Sequence, residues 1–514
     1  MTMQRREFLR ALGAVGAGSA AAWLTPAAAA DSAISEAEAF DRAVADKPWL
    51  RPFKGVSDAG GDLRCESLAI TGRLPPELRG RFYRNGPALF ERNGQRYHHW
   101  FDGDGMVQQF SFSGTQVRHV GRLVRTAKLR AEQQAGRFLY SAFGTGIQSD
   151  APVLGPDSLN TANTNALEHA GRVLAMWEGG SAYALDPDGL VTRGPVTWGE
   201  GLQQVPFSAH PKVDASGHLW NIGTFGARIV AWHVDPQGRL VKAQVGESPY
   251  PGGMVHDMAI TPQYLVIPLP PVKLHFDRIA AGASPEAAYD FERTQPLRIL
   301  VLDKNDITKR RIFELPAQMV FHVGNAWERG DGRIVLSYVG ASDHRTLVQG
   351  AVAVVAGQPG PKRVSSTQLA VLDMASGRAT VQGLDDAVEF PRIDPRRTGL
   401  ASRFAVSAAE WRPQPAGKGA LFHGIEWRDL ETGRVERYDY GVDMVVEEHI
   451  VVPKPGRGED ERDAWLVGTS FDAKRQQTLV NVLDARAVAD GPVAQAALPY
   501  ALPLGFHGNF TAAS

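Results

Sequence analysis

The chemistry open to this chain rests on histidine. It has fourteen histidines and one cysteine, Cys65. No disulfide can form within it and no thiolate cluster can hold a metal, so a metal site must be built from imidazoles and carboxylates. Four histidines stand in similar settings. His210 lies in SAHPKVD, beside a proline and just before a turn, and His256 in GGMVHDMAIT, after a glycine pair. His322 lies in VFHVGNAWE and His507 in LPLGFHGNF. Each sits at a turn or strand end among apolar neighbours, where small residues let backbone approach a ligand closely. Their separations of 46, 66 and 185 positions exceed any local metal motif. They can share one ion only if several strands converge on a point. A lone histidine among apolar residues is more often a satisfied core residue than a ligand. The other ten (His98, His99, His119, His169, His218, His233, His275, His344, His423 and His449) show no second feature and read as structural or solvent-facing.

The elements that must bring such residues together are strands. Residues 33–46 read as a helix with Ser35 as its cap; beyond them helical periodicity is rare. Apolar runs of strand length alternate with turns of one recurring form, in which an Asp is followed three or four positions later by Gly. Asp186–Gly189, Asp214–Gly217 and Asp235–Gly238 are the shorter version, and Asp373–Gly377 and Asp429–Gly433 the longer. Glycine accepts φ > 0, so these read as hairpin tips. An all-β architecture follows; the pattern fits a sandwich, a large barrel or a propeller, and a chain of this size with one recurring hairpin form favours the propeller, whose radial blades leave few exposed edges. The 54 glycines and 33 prolines agree with many tight turns. Two segments, 125–148 and 269–290, depart from the pattern; such excursions tend to cap one face of an all-β scaffold and carry function.

Composition narrows the partners. Lys+Arg number 55 and Asp+Glu 56, for a net charge of −1, without the basic excess of a phosphate-backbone binder, so nucleic acid is not an expected partner. Residues 1–30 carry Arg5-Arg6, an Ala/Gly-rich apolar stretch, Pro26 and Ala28-Ala29-Ala30. This resembles a twin-arginine export signal cut near Ala30, which predicts a periplasmic protein whose body is residues 31–514. No later stretch is long and apolar enough to predict a membrane-spanning helix.

A set of short motifs, in order along the chain, sharpens this reading. RNGPALF (84–90), YHHWFDGDGM (97–106), ANTN (162–165), MWEGG (176–180), AHPKVD (209–214), MVHDMAIT (254–261), FHVGNAWE (321–328), EFPRID (389–394) and GFHGNF (505–510) resemble the signature of the carotenoid cleavage oxygenase family. The resemblance implies a seven-bladed β-propeller with a helical and loop dome, and one Fe(II) on its axis bound by His210, His256, His322 and His507. It implies a carboxylate behind three of the imidazoles: Glu178 with His256, Glu389 with His322 and Glu459 with His507. The Glu459 match is to an altered motif, GEDERDAW. His210 is left without a carboxylate. Thr164 matches a residue that partly blocks one iron position.

The implied reaction is cleavage of a C=C bond of an apolar conjugated alkene by O2, giving two carbonyls. The electrons come from the alkene, and the sequence shows no persuasive dinucleotide fingerprint or P-loop. Trp177, Phe321 and Phe506 are candidates for the wall of an apolar tunnel. Within the resemblance Leu123 takes the place of a tyrosine that grips phenols in stilbene-cleaving members, which favours a carotenoid or apocarotenoid over a stilbene or phenylpropenoid. Residues 269–290 are a candidate contact with a membrane surface, and a monomer or weak dimer is expected. A zinc hydrolase or a non-catalytic binding propeller would use the same scaffold differently.

Overall fold

The computed structural model describes residues 34–513 apart from 59–60, 359–360, 362–363, 385–386 and 413–420. The export signal expected in residues 1–30 lies outside them. The recurring Asp–Gly turns are hairpin tips. Gly189, Gly217, Gly238, Gly377 and Gly433 all have positive φ. In each turn the Asp carboxylate accepts from the backbone N–H two residues on, as from Asp188 to Asp186 (3.0 Å) and Ser216 to Asp214 (2.9 Å). The Asp thus fixes the start of the turn and the Gly its return.

These hairpins stack into seven four- or five-stranded antiparallel sheets arranged as a propeller. Blade one is closed by the two ends of the chain. Its strands Asp62–Cys65, Val117–Leu123, Asp104–Ser113 and Arg79–Leu89 are completed at the inner edge by the last strand, His507–Ala512. Asn85 pairs with His507 in this register. The inner strands of blades two to seven are Asn165–His169, Lys212–Val213, Ala259–Ile260, Met319–Glu328, Val388–Ile393 and Met444–Pro453. Blade seven borrows an outer strand, Ala69–Gly72, from the N-terminal region, paired to Pro492–Ala497. Apolar faces of neighbouring blades bury one another: Phe82 and Phe110 of blade one, for example, pack with Ile450, Val467 and Val480 of blade seven.

A roof covers one end. It draws on both excursions noted in the sequence. The first carries the helix Ala127–Ala135. The second carries a two-stranded hairpin, Val272–Leu274 with Tyr289–Phe291, and the short helix Phe276–Ala280. They meet where the Glu286 N–H donates to the Phe143 carbonyl (2.9 Å). A third piece, the helix Arg345–Val355, was not singled out in the sequence; its apolar composition resembles a strand run. The expected N-terminal helix forms as Glu36–Asp46. Ser35 Oγ accepts from the Glu38 N–H (3.2 Å) and Glu38 Oε2 from the Ser35 N–H (2.9 Å), a reciprocal cap. Its Phe40 packs with Trp49, Leu50 and Val354 under the roof. No helix among the described residues is long and apolar enough to cross a membrane.

Candidate metal centre

The four histidines separated in sequence meet on the propeller axis. One ring nitrogen from each of His210, His256, His322 and His507 lies within 4.8 Å of the others, and all four residues are buried. His210 Nε2 is 3.0 Å from His256 Nε2, which is 3.2 Å from His322 Nε2. Each histidine comes from a different blade: three, four, five and one. His210 and His256 lie just before their inner strands, whereas His322 and His507 lie within theirs.

The blades that contribute no histidine supply the carboxylates. Glu178, in the turn after Arg172–Met176 of blade two, contacts His256 Nδ1. Glu389 of blade six contacts His322 Nδ1. His507 Nδ1 is bonded to Glu448 Oε1 of blade seven at 2.9 Å. This corrects the expected pairing with Glu459. The Glu459 side chain is 91% exposed and pairs with Arg397 at the surface. Glu448 lies in the middle of MVVEEHIVVP, a strand otherwise buried. His210 Nδ1 has Asp257 Oδ2 3.8 Å away, outside hydrogen-bond range. Asp257 is already engaged by Lys212 Nζ (2.8 Å) and the Val323 N–H (2.8 Å).

Local irregularity aims these side chains. A regular strand sends successive residues to opposite faces. The pairing register shifts between Val320 and Val323, between Glu389 and Arg392, and between Val446 and His449. Such bulges re-aim side chains. They let neighbours Phe321 and His322, and Glu389 and Phe390, face the same cavity. Phe390 has φ 57°, uncommon for a bulky residue. Its ring stacks on His322 at 5.1 Å and lies 5.3 Å from His507, contacts that hold the strained backbone in place.

The electrostatics favour neutral imidazoles at His210 and His507. Burial holds His210 well below the ordinary histidine value, and the other three imidazoles add to the effect. Burial takes His507 down to about 4. For Glu448, burial opposes ionisation, but Arg392, His507 and Arg84 outweigh it and hold the carboxyl at about 2. His322 moves the other way, because the Glu389 carboxylate outweighs burial. With Nδ1–H directed at a carboxylate, Nε2 of an imidazole is a bare lone pair. Three such nitrogens and a ring nitrogen of His210 crowd one another at these distances unless a cation lies between them, and the donor set fits a divalent transition metal.

Above the histidines is a cavity of about 410 Å3. Phe101, Phe143, Trp177, Phe321, Phe390 and Phe506 are among its lining residues, so the three expected aromatics all reach it. Thr164 lines it too, its Oγ1 donating to Asn163 Oδ1 (3.1 Å). Leu123 does not. It packs with Ala88, Leu89, Met106 and Leu129 in a separate core cluster, so its identity does not bear on what the cavity holds. The motif residues that are not ligands staple backbone beneath the site. Asn85 donates to the Ala162 (2.8 Å) and Asn165 (3.0 Å) carbonyls, and Asn163 to those of Phe101 (2.7 Å) and Gly103 (2.8 Å). Arg84 donates to Glu447 Oε1 (3.0 Å) and the Glu448 carbonyl (3.1 Å).

Fold and site together define a propeller protein with an axial four-histidine metal centre under an apolar roof. The chain belongs to the retinal pigment epithelial membrane protein family, which it matches over residues 59–512. It is 28% identical over 493 residues to an apocarotenoid-15,15'-oxygenase of Synechocystis, covering 91% of this chain and 97% of that protein. It is 29% identical over 496 residues to lignostilbene-alpha,beta-dioxygenase isozyme III of Sphingomonas paucimobilis, covering 90% and 96%. Among solved structures, the cobalt-substituted Synechocystis apocarotenoid oxygenase superposes with a TM-score of 0.79 at 27% identity, covering 91% of this chain and 99% of that one.

Proposed function

We propose that this protein is an Fe(II)-dependent dioxygenase that cleaves a C=C bond of a carotenoid or apocarotenoid with O2, leaving two carbonyl products. The observation that carries the reading is the position of four buried imidazoles on the floor of an apolar, aromatic-lined cavity. His210, His256, His322 and His507 would hold the iron, which supplies a site where O2 is activated. Glu178, Glu389 and Glu448 orient three of the imidazoles and keep Nε2 free to bind the metal. The aromatic wall excludes water and aligns a flat conjugated chain over the centre. Thr164 narrows the approach from one side. The four electrons that reduce the two oxygen atoms of O2 come from the σ and π pairs of the cleaved C=C bond, so no external reductant is consumed.

Cleavage of a stilbene or phenylpropenoid on the same centre is the second reading. The lignostilbene dioxygenase and an isoeugenol monooxygenase of Pseudomonas nitroreducens, 28% identical over 464 residues, favour it. Substrate-dependent O2 consumption with β-apo-8′-carotenal and with resveratrol, alongside metal analysis, separates the readings. Turnover of resveratrol alone would replace the first by the second; one zinc and no O2 uptake would reject both.

The same proposal places the protein in the periplasm, exported by a twin-arginine signal in residues 1–30, as a monomer or weak dimer. It also gives the second excursion a membrane-facing side. Phe276, 58% exposed, stands on the element whose Pro285 and Tyr289 line the cavity. Sedimentation with phospholipid vesicles that is unchanged in Phe276→Asp would remove that part.

A further inference from the structure

Most polar groups of the cavity wall are already engaged; among the described residues, the Tyr289 and Thr224 hydroxyls and the Trp100 and Trp177 indole N–H groups are not. The wall's carboxylates and amide are spoken for. Asp102 accepts from Thr145 Oγ1 (2.6 Å) and the Gly144 N–H (2.9 Å). Asn163 is held by two backbone carbonyls and Thr164, and Glu447 by Arg84 and the Gly505 N–H (2.5 Å). The Thr161 hydroxyl has no hydrogen-bond partner but is sealed from the cavity space. Tyr289 differs. It is the one phenol among the lining residues, and among the described residues its hydroxyl has no hydrogen-bond partner. Its ring is fixed, packed with Val272, Met319 and Phe321 and 6.3 Å from the Phe143 ring. Backbone pairing holds it too, because Tyr289 opposes Leu274 in the two-stranded hairpin of the roof. Burial and the nearby Glu178 carboxylate push its pKa up to about 12, so at neutral pH the group is a proton donor.

A rigid donor with no internal partner in a dry wall is costly unless the ligand supplies an acceptor. We propose that Tyr289 is a specificity residue whose hydroxyl donates a hydrogen bond to an oxygen at one end of the conjugated substrate. The alkene taken by this protein then carries a carbonyl or hydroxyl oxygen and is not a pure hydrocarbon. This rests on the cleavage function proposed above and narrows its substrate class. It also moves the selection of an oxygenated end from the Leu123 position to the excursion of residues 269–290.

The test is anaerobic titration of the metal-loaded protein, read by quenching of tryptophan emission; Trp100 and Trp177 line the cavity. The ligands are β-apo-8′-carotenal, resveratrol, and the hydrocarbon of the carotenal's length with methyl in place of the aldehyde. Tyr289→Phe should weaken binding of one oxygenated ligand about tenfold, the worth of one neutral hydrogen bond, and leave the hydrocarbon unchanged. Whether the carotenal or resveratrol responds identifies the oxygen recognised. Phe143→Leu keeps the hydroxyl and should weaken oxygenated ligand and hydrocarbon alike. Equal affinities of wild type and Tyr289→Phe for both oxygenated ligands, or equal losses for all three, would overturn the assignment of Tyr289. Absence of O2 consumption by wild type with both oxygenated ligands would overturn the proposed function instead.

Discussion

Two of the buried polar clusters among the described residues differ in whether they are built to hold something. At the axis, four imidazoles turn unshared electron pairs toward one point, each from a different blade. Between the roof and blade one lies a cluster around Lys128, which is 1% exposed. Its ammonium donates to Tyr97 Oη (2.8 Å), Asp104 Oδ1 (3.0 Å) and Glu132 Oε2 (2.9 Å), using all three protons. Glu132 Oε1 accepts from the Leu139 N–H (3.0 Å), and Asp104 Oδ2 faces Arg92 at 3.9 Å. Opposite charges close this cluster on itself, with Asp104 Oδ2 and Arg92 Nη2 paired by charge and not by a hydrogen bond. Like groups with matched lone pairs leave the axial one open. Depth of burial does not separate a staple from a site; what separates them is whether the cluster is complete without a guest.

The contrast can be broken from either side. His256→Ala should abolish stoichiometric metal binding and O2 consumption while barely moving the unfolding midpoint of the metal-free protein; metal analysis and a urea titration on one preparation check both halves. Lys128→Ala should do the reverse. Removing the cation strands two buried carboxylates and should cost about 3–5 kcal/mol of stability, with metal content per folded chain unchanged. Glu448→Gln keeps the shape behind His507 but loses the charge, and should weaken metal affinity by about 10- to 100-fold in a competition with a chelator. The surface substitution Glu459→Gln should not change it.

Buried histidines outside the axial centre set a pH dependence. His99 and His119, held by burial near 3, and His449, near 4, are neutral in the folded protein. Unfolded, each takes up a proton below 6.5. The stability they contribute is therefore present above pH 6.5 and lost as pH falls from there toward 4, at about 1.4 kcal/mol per pH unit for each group. Urea midpoints of the metal-free protein at pH 7 and pH 5 should differ accordingly; a flat profile would mean these rings are hydrated.

Much of the site was legible because its residues depart from local expectation. His210, His256, His322 and His507 each stand beside glycine, proline or an apolar run, and the family resemblance then supplied their number and the metal to expect. Glu448 was legible too and was missed. Two acids in the middle of an apolar strand cannot be surface residues, whereas the acids of GEDERDAW lie in a glycine-bearing turn. A weak motif match outweighed the burial pattern there. Leu123 failed for another reason: a place in the chain says nothing about which side of a wall the residue faces. The Asp–Gly turns made the hairpins readable, but the pattern alone left sandwich, barrel and propeller open. What decides among them is pairing between the two ends of the chain, and contacts that distant leave no periodic trace. The register shifts at Val320, Glu389 and Val446 were equally silent, because a bulge is a relation between two strands.

The last strand, His507–Ala512, both seals the ring and carries the fourth ligand. Deleting that one strand would therefore remove the closure of blade one and one of the four converging imidazoles in the same event.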